Sequence, residues 1–266
     1  MSPLLGQVAL TLKKAPFRGA FFVFAFGLLS SSPCLAADCS PPANLRSEVV
    51  ASVVDGDTLR LKAGQKVRLI GIDTPELGRD GHPDRPFARE AREALRHLVD
   101  LSGWRILLQP GIEPRDRYRR VLGHAYSTDG NNLTAALLRQ GLGYQAVVAP
   151  NLNHLECYQA AELEARKAEA GLWRGKLEDA ANLDSERSGF HLLRGRVERV
   201  GRSRGAVWLN LTGAVAVKVP WGVWREMTPD EPERFDERRL EVRGWFYRYK
   251  GKLRVELSHP AALRWL

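Results

Sequence analysis

Four charged residues stand at separate points of the stretch VVDGDTLRLKAGQKVRLIGIDTPE, residues 53–76: Asp57, Arg68, Asp73 and Glu76. Three carboxylates and a guanidinium that converge in a half-buried place need compensation. Like charges in partly dry surroundings repel, and a bound cation relieves them. Carboxylate and carbonyl oxygens suit a hard cation, calcium or magnesium. A planar guanidinium beside such a cation suits phosphate, whose oxygens it binds two at a time. The combination points to metal-assisted attack on a phosphodiester. Each piece also has a structural explanation. Asp55-Gly56 is a common turn, and Asp73-Thr74-Pro75-Glu76 could cap a helix with proline in the first turn.

The elements around these residues follow from their patterns. Asp55-Gly56-Asp57 predicts a tight turn inside a three-strand meander that runs from about Ser47 to Ile72. Residues 77–85 read as a loop rich in Gly, Asp and Pro. After Pro86, apolar residues at Phe87, Ala91, Ala94, Leu95, Leu98 and Leu101 predict one face of a helix, stopped by Ser102-Gly103. Strands are expected at 104–109 and 119–127, with a turn over Pro110–Pro114 between them. Two more helices are expected, Leu133–Gln140 and Leu155–Ala170, each ended by a glycine.

Two segments of this order match a known pattern. Asp-Gly-Asp-Thr stands intact as Asp55 to Thr58, and Arg-x-x-x-x-Asp-Thr-Pro-Glu as Arg68 to Glu76. A third motif, Asp-x-Tyr-Gly-Arg before an apolar strand, is matched by Asp116, Tyr118 and Arg120, with Arg119 where the pattern has glycine. From about Glu48 to Trp173 the chain resembles the staphylococcal nuclease (thermonuclease-like) family. The resemblance implies a mainly β fold with helices, a five-stranded oligonucleotide-binding-type (OB-type) barrel carrying three helices. It implies a calcium site made by Asp57, Asp73 and the Thr74 carbonyl. It assigns Glu76 to the attacking water, Arg68 and Arg120 to the phosphate in the transition state, and Arg117 and Tyr118 to substrate binding. The implied activity is cleavage of DNA and RNA, single strands before duplexes, leaving 3′-phosphates. Of the family's nucleotide-packing tyrosine pair, only Tyr144 has a counterpart. The alternative is a catalytically silent nucleic-acid-binding module, against which all five charged site positions are retained.

The 266 residues suffice for one large or two small domains, and a net charge of +9 with a pI near 9.7 suits an anionic partner. Residues 1–36 read as a secretory signal, with Lys13, Lys14 and Arg18 before the apolar core Gly19–Leu29. That core is too short for a comfortable membrane span, so no stable membrane insertion is expected after cleavage. The expected compartment is periplasmic or extracellular. Cleavage would remove three basic groups and Cys34, leaving a charge of +6 and two cysteines, Cys39 and Cys157. An even count in an oxidising compartment predicts their disulfide.

The expected organisation is a nuclease-like domain over 37–175, a polar linker over 176–189 and a small all-β, possibly OB-like domain over 190–266. A monomer is expected. Gly189–Leu266 holds 16 Lys and Arg against 9 Asp and Glu, so the basic excess belongs to the second domain. Trp245, Tyr247, Tyr249, Arg248, Lys250 and Lys252 interleave charge with aromatic rings, as a single-strand-binding surface would. The same aromatics serve equally as barrel core. Since the catalytic set lies within Asp57–Arg120, cleavage is expected of a chain ending near Lys176.

Overall fold

The computed structural model describes residues 38–78, 81–183 and 188–266, so the predicted signal segment lies outside the described residues. The first half contains β1 (Arg46–Asp55), β2 (Thr58–Leu61), β3 (Lys66–Leu69), β4 (Ile72–Asp73), α1 (Ala88–Leu101), β5 (Arg105–Arg115), β6 (Val121–Tyr126), α2 (Leu133–Arg139), β7 (Tyr144–Gln145) and α3 (Leu155–Lys167). Five of these strands close a barrel in the order β1-β2-β3-β6-β5. All neighbours are antiparallel except β3 and β6, which run parallel. Val50, Leu59, Leu61, Val67, Leu69 and Ile106 fill the interior, and α1 covers it with Ala91, Leu95 and Val99. The helical face differs in part from the expected one. Leu101 is exposed, and Phe87 is a left-handed residue ahead of the helix.

The expected turn over Pro110–Pro114 is instead strand, because β5 runs through it with a register shift between Pro110 and Arg115. The Asn151 side chain supplies what local pairing lacks here. Its Oδ1 accepts from the Glu113 N–H at 2.9 Å and its Nδ2 donates to the Glu113 carbonyl at 3.0 Å. A partner 38 residues away thus overrides the turn chemistry of two prolines.

The second half contains β8 (Glu178–Asp179), β9 (Gly189–Arg202), β10 (Ala206–Leu211), β11 (Val215–Pro220), α4 (Trp221–Met227), β12 (Arg239–Tyr249), β13 (Lys252–Glu256) and β14 (Leu263–Trp265). The pairing of β12 with β9 closes β9-β10-β11-β13-β12 into a second barrel. Numbering the strands of each barrel from one to five, both have the order 1-2-3-5-4. In both, strands three and five form the single parallel pair and a helix lies between strands three and four. The chain is therefore two OB-type barrels in series. The expected polar linker contributes a strand: β8 pairs with β9, and Ala180 is fully buried in the second core.

The barrels are joined by more than the chain. Val147, Leu152 and Leu155, from before and within the start of α3, pack on the second core. Arg243 on β12 reaches Glu162 on α3 through two hydrogen bonds of 3.0 and 2.8 Å, and donates to the Gln145 carbonyl at 3.0 Å. Arg166 links the same Glu162 to Glu241, at 3.3 and 2.6 Å. Glu162, Glu241 and Arg243 are all buried. A chain ending near Lys176 would lose Arg243 and uncover apolar side chains. A Cys39–Cys157 disulfide ties the N-terminal lead to α3, across a sequence separation of 118.

Two stability outcomes are expected. Arg243→Ala leaves Glu162 short of a buried counter-charge and should destabilise by about 3 kcal/mol in urea unfolding. Arg264→Ala, at the exposed rim of the same network, should change stability by roughly 1 kcal/mol or less. Reducing the disulfide should remove about 2–4 kcal/mol, read as a lower urea midpoint in reductant.

Candidate active site

The site begins at the β1–β2 turn. Gly56 lies against α1 and the chain after β4, where a Cβ would stand 2.6 Å from Ala91 Cβ and 2.7 Å from Thr74 Oγ1. Only glycine lets the turn pack this closely. The turn carries Asp57 to the end of β3, where its carbonyl accepts from the Leu69 N–H at 2.8 Å. Its carboxylate is buried and hydrogen-bonded at both oxygens. Oδ2 accepts from the Thr74 N–H at 2.9 Å and the Thr74 hydroxyl at 3.0 Å, and Oδ1 from the Thr58 hydroxyl at 3.1 Å. Asp57 also forms an ion pair with Nη1 of Arg68.

Arg68 is the centre of the arrangement. It lies on β3, is 9% exposed, and donates to the Ile72 carbonyl at 3.0 Å and to Asp73 Oδ1 at 2.7 Å. Asp73 sits on β4, which pairs with β7, with Asp73 opposite Tyr144 and Ile72 opposite Gln145. Burial alone would lower the Arg68 pKa. The charges of Asp57, Asp73, Asp55 and Glu76 outweigh it and hold the guanidinium above its ordinary value. Burial pushes Asp73 up to about 7 against the pull of Arg68, with Asp57 and Glu76 adding to the rise. Asp55, buried behind the turn, is pushed up to about 6 by burial and then by Asp57.

Four carboxylates thus bear on one buried arginine, with Arg85 adding a further favourable charge at Asp73. Among the described residues no group of three or more His, Cys, Asp and Glu side chains is arranged to hold a metal ion. The two expected carboxylate ligands both turn onto Arg68. Among the described residues no hydrogen bond uses the Thr74 carbonyl. In donor type and excess negative charge the set fits a hard divalent cation held by Asp57, Asp73 and the Thr74 carbonyl. Glu76 is exposed just beyond, and no helix starts at Asp73, so the capping explanation of this motif does not hold.

The second half of the site is the loop entering β6. Arg68 is opposite Leu122, so Arg120 stands two residues before the partner of Arg68. No contact joins Arg120 to Arg68, Asp57 or Asp73 among the described residues. Asp116 organises the loop instead. Its Oδ1 accepts from the N–H groups of Tyr118 and Arg120, both at 2.9 Å, and its Oδ2 takes the Arg120 Nε at 2.6 Å. Tyr118 is 64% exposed, with the guanidinium of Arg117 at 4.8 Å from its ring and that of Arg120 at 5.5 Å. Tyr144 lies apart from this loop, against Trp173 with ring centroids 5.1 Å apart.

Sequence reasoning missed three participants. Asp55 looked like a turn residue, although the alternation Asp55-x-Asp57 places a second acid one step from the first. Arg85 lay in an irregular loop. The brace behind β7 was out of reach of local pattern: Gln145 N–H donates to Glu162 Oε1 at 2.8 Å, and Arg243 holds both.

Arg119 occupies the position of the family's glycine at φ 64°. The left-handed region disfavours any residue with a Cβ by about 1–2 kcal/mol, part of which glycine's greater unfolded freedom offsets. Arg119→Gly is expected to stabilise the protein by roughly 0.5–1 kcal/mol, read as a higher urea midpoint.

A family model described as staphylococcal nuclease homologue matches residues 66–175. That span holds every expected catalytic, metal-binding and substrate-binding residue except Asp57. A thermonuclease of Staphylococcus intermedius is 32% identical over 130 residues, which cover 48% of this chain and 76% of that protein. A thermonuclease of Staphylococcus hyicus is 32% identical over 151 residues, covering 55% of this chain and 86% of that protein. Endonuclease YhcR of Bacillus subtilis is 29% identical over 136 residues, 47% of this chain but 11% of that longer protein. With the barrel, the turn of Asp57 and the Arg68 cluster in place, the chain belongs to the staphylococcal nuclease family.

Proposed function

We propose that the protein is an exported, calcium-dependent endonuclease that hydrolyses phosphodiester bonds of single-stranded DNA and RNA and leaves 3′-phosphates. The observation that carries the reading is the buried guanidinium of Arg68 set among the carboxylates of Asp57 and Asp73 beside the exposed Glu76. Relatives named thermonuclease and endonuclease support it.

Asp57, Asp73 and the Thr74 carbonyl would hold the calcium ion. When bound, the ion neutralises charge on the phosphate and acts as a Lewis acid. Glu76 accepts a proton from the attacking water, for which an exposed carboxylate next to the arginine is suitably placed. Arg68 is fixed before substrate arrives, by Asp57, Asp73 and the Ile72 carbonyl, so little reorganisation is needed as charge grows on the phosphate oxygens. Asp116 engages Nε of Arg120, and the terminal nitrogens of Arg120 take phosphate oxygens from the other side. Arg117 and Tyr118, side by side and exposed, contact the nucleotide phosphate. The apolar N-terminal segment and the Cys39–Cys157 bridge support export, since disulfides persist in oxidising compartments.

Turnover of single-stranded DNA and RNA by the purified chain tests the reading. Activity should appear with calcium, fall well below that level with magnesium, which demands tighter octahedral geometry, and vanish with a chelator. Equal rates in the two ions would remove the calcium assignment. Glu76→Gln, Arg68→Lys and Arg120→Lys should each lower kcat by an amount worth roughly 2.7–4 kcal/mol. Lysine keeps the charge but loses the two-pronged geometry, so near-normal turnover in Arg68→Lys would sink its role.

A further inference from the structure

The second barrel repeats the topology of the first without its carboxylate centre. Its outer face carries a groove with a volume of about 380 Å³, lined by Arg199 and Gly201 of β9, Trp208 and Asn210 of β10, Ala216 of β11, and Lys250, Lys252 and Arg254 at the β12–β13 turn and β13. Four of these residues are basic and none is acidic. The register explains the shape. Arg199, Asn210, Ala216, Arg254 and Tyr247 follow one another across five strands, each opposite the next. Two of the lining residues, Ala216 and Gly201, are small.

Aromatic side chains accompany the charge. The Arg254 guanidinium lies between two rings, 5.1 Å from the centroid of Trp208 and 4.1 Å from that of Tyr249. Its Nε is buried and has no hydrogen-bond partner among the described residues. Along β12, Trp245, Tyr247 and Tyr249 alternate onto one side of the strand and remain 44–45% exposed. Barrel aromatics that served as core would be covered, as Phe246 between them is, at 2%.

We propose that this face binds a single strand of nucleic acid, phosphates on Arg199, Lys250, Lys252 and Arg254 and bases on Tyr247, Tyr249 and Trp208. Three observations select that partner. The cations face no lining carboxylate, so they suit a polyanion. The rings are exposed at successive positions along a strand, and every base offers a flat face to stack on. The groove occupies the face of strands two and three and the turn between strands four and five, which in OB-type barrels receives extended oligomers. A lipid headgroup would satisfy the cations but not the stacked rings. The surface would hold a long substrate at a second point on the chain, which favours long strands over short ones. The inference rests on the nuclease reading for the identity of the polymer.

The test keeps chain length and chemistry apart. Binding of a fluorescent 30-nucleotide single strand is followed by anisotropy in calcium-free buffer over a salt series. The full-length chain carries Glu76→Gln, with or without Arg199→Gln, Lys250→Asn and Lys252→Gln together. Asparagine suits position 250, which has φ 48°. The triple change should weaken binding tenfold or more and reduce the slope of log K against log salt by about 2, at ~0.7 per lost phosphate contact. Tyr249→Ala should weaken binding at every salt concentration by roughly fivefold or more without altering the slope. With Glu76 intact, the triple variant should cleave a trinucleotide at the normal rate. Superimposable salt titrations overturn the proposal while leaving the nuclease reading intact. A triple variant that loses binding only to phosphatidylglycerol vesicles makes a membrane the partner and also overturns it. Patch-dependent strand binding by a protein that cleaves nothing sustains this inference and removes the nuclease one.

Discussion

A guanidinium with 9% exposure is costly to bury unless opposite charge and hydrogen-bond acceptors are brought to it, and Arg68 gathers them from two segments. Asp57 comes from the β1–β2 turn, and Asp73 and the Ile72 carbonyl come from β4. Breaking the arrangement would leave an uncompensated buried ion, so the turn, the third strand and the strand after it are held to one geometry. The same constraint holds Arg68, the arginine proposed to bind the phosphate, in place before any substrate arrives. Burial pushes Asp55 and Asp73 upward, and neighbouring carboxylates add to the rise.

The strand that carries Asp73 is short and depends on what lies behind it. Its partner β7 offers the Gln145 N–H to Glu162 and the Gln145 carbonyl to Arg243. Arg243 belongs to the second barrel, so one wall of the candidate site is braced by a residue 98 positions beyond Gln145. The two barrels share a topology and also a polar seam, with Glu162, Glu241, Arg166 and Arg243 satisfying one another where both cores meet. The first barrel gathers Asp57, Asp73 and Arg68 at its turn and strand ends. The second presents cations and rings with no lining carboxylate, on a face built from the corresponding strands.

Much of this was legible in the sequence, because turns, alternation and charge are local properties. Asp55-Gly56-Asp57 turns the chain where expected, the strand patterns of both barrels are found in place, and Arg68, Asp73 and Asp57 do converge. The count of cysteines left after residue 36 identified the Cys39–Cys157 bridge. Other features depend on distant partners, and there local reasoning fell short. Pro110 and Pro114 suggested a turn, yet Asn151 keeps the strand going. Arg119 gave no sign in its type of the left-handed backbone that Asp116 imposes around it.

The sequence by itself therefore determined where the chain turns, which residues alternate, and which charges lie near one another along the strands. Tertiary structure alone decided which side of each strand became the inside. Alternation separated Trp245, Tyr247 and Tyr249 from Phe246 but did not say which set would be covered, since burial depends on how the sheet closes. Closure of β12 against β9 put Phe246 in the core and the other three rings outside. It also carried Arg243 to Glu162, a pairing invisible to any window of sequence, because buried ions select partners by proximity in space.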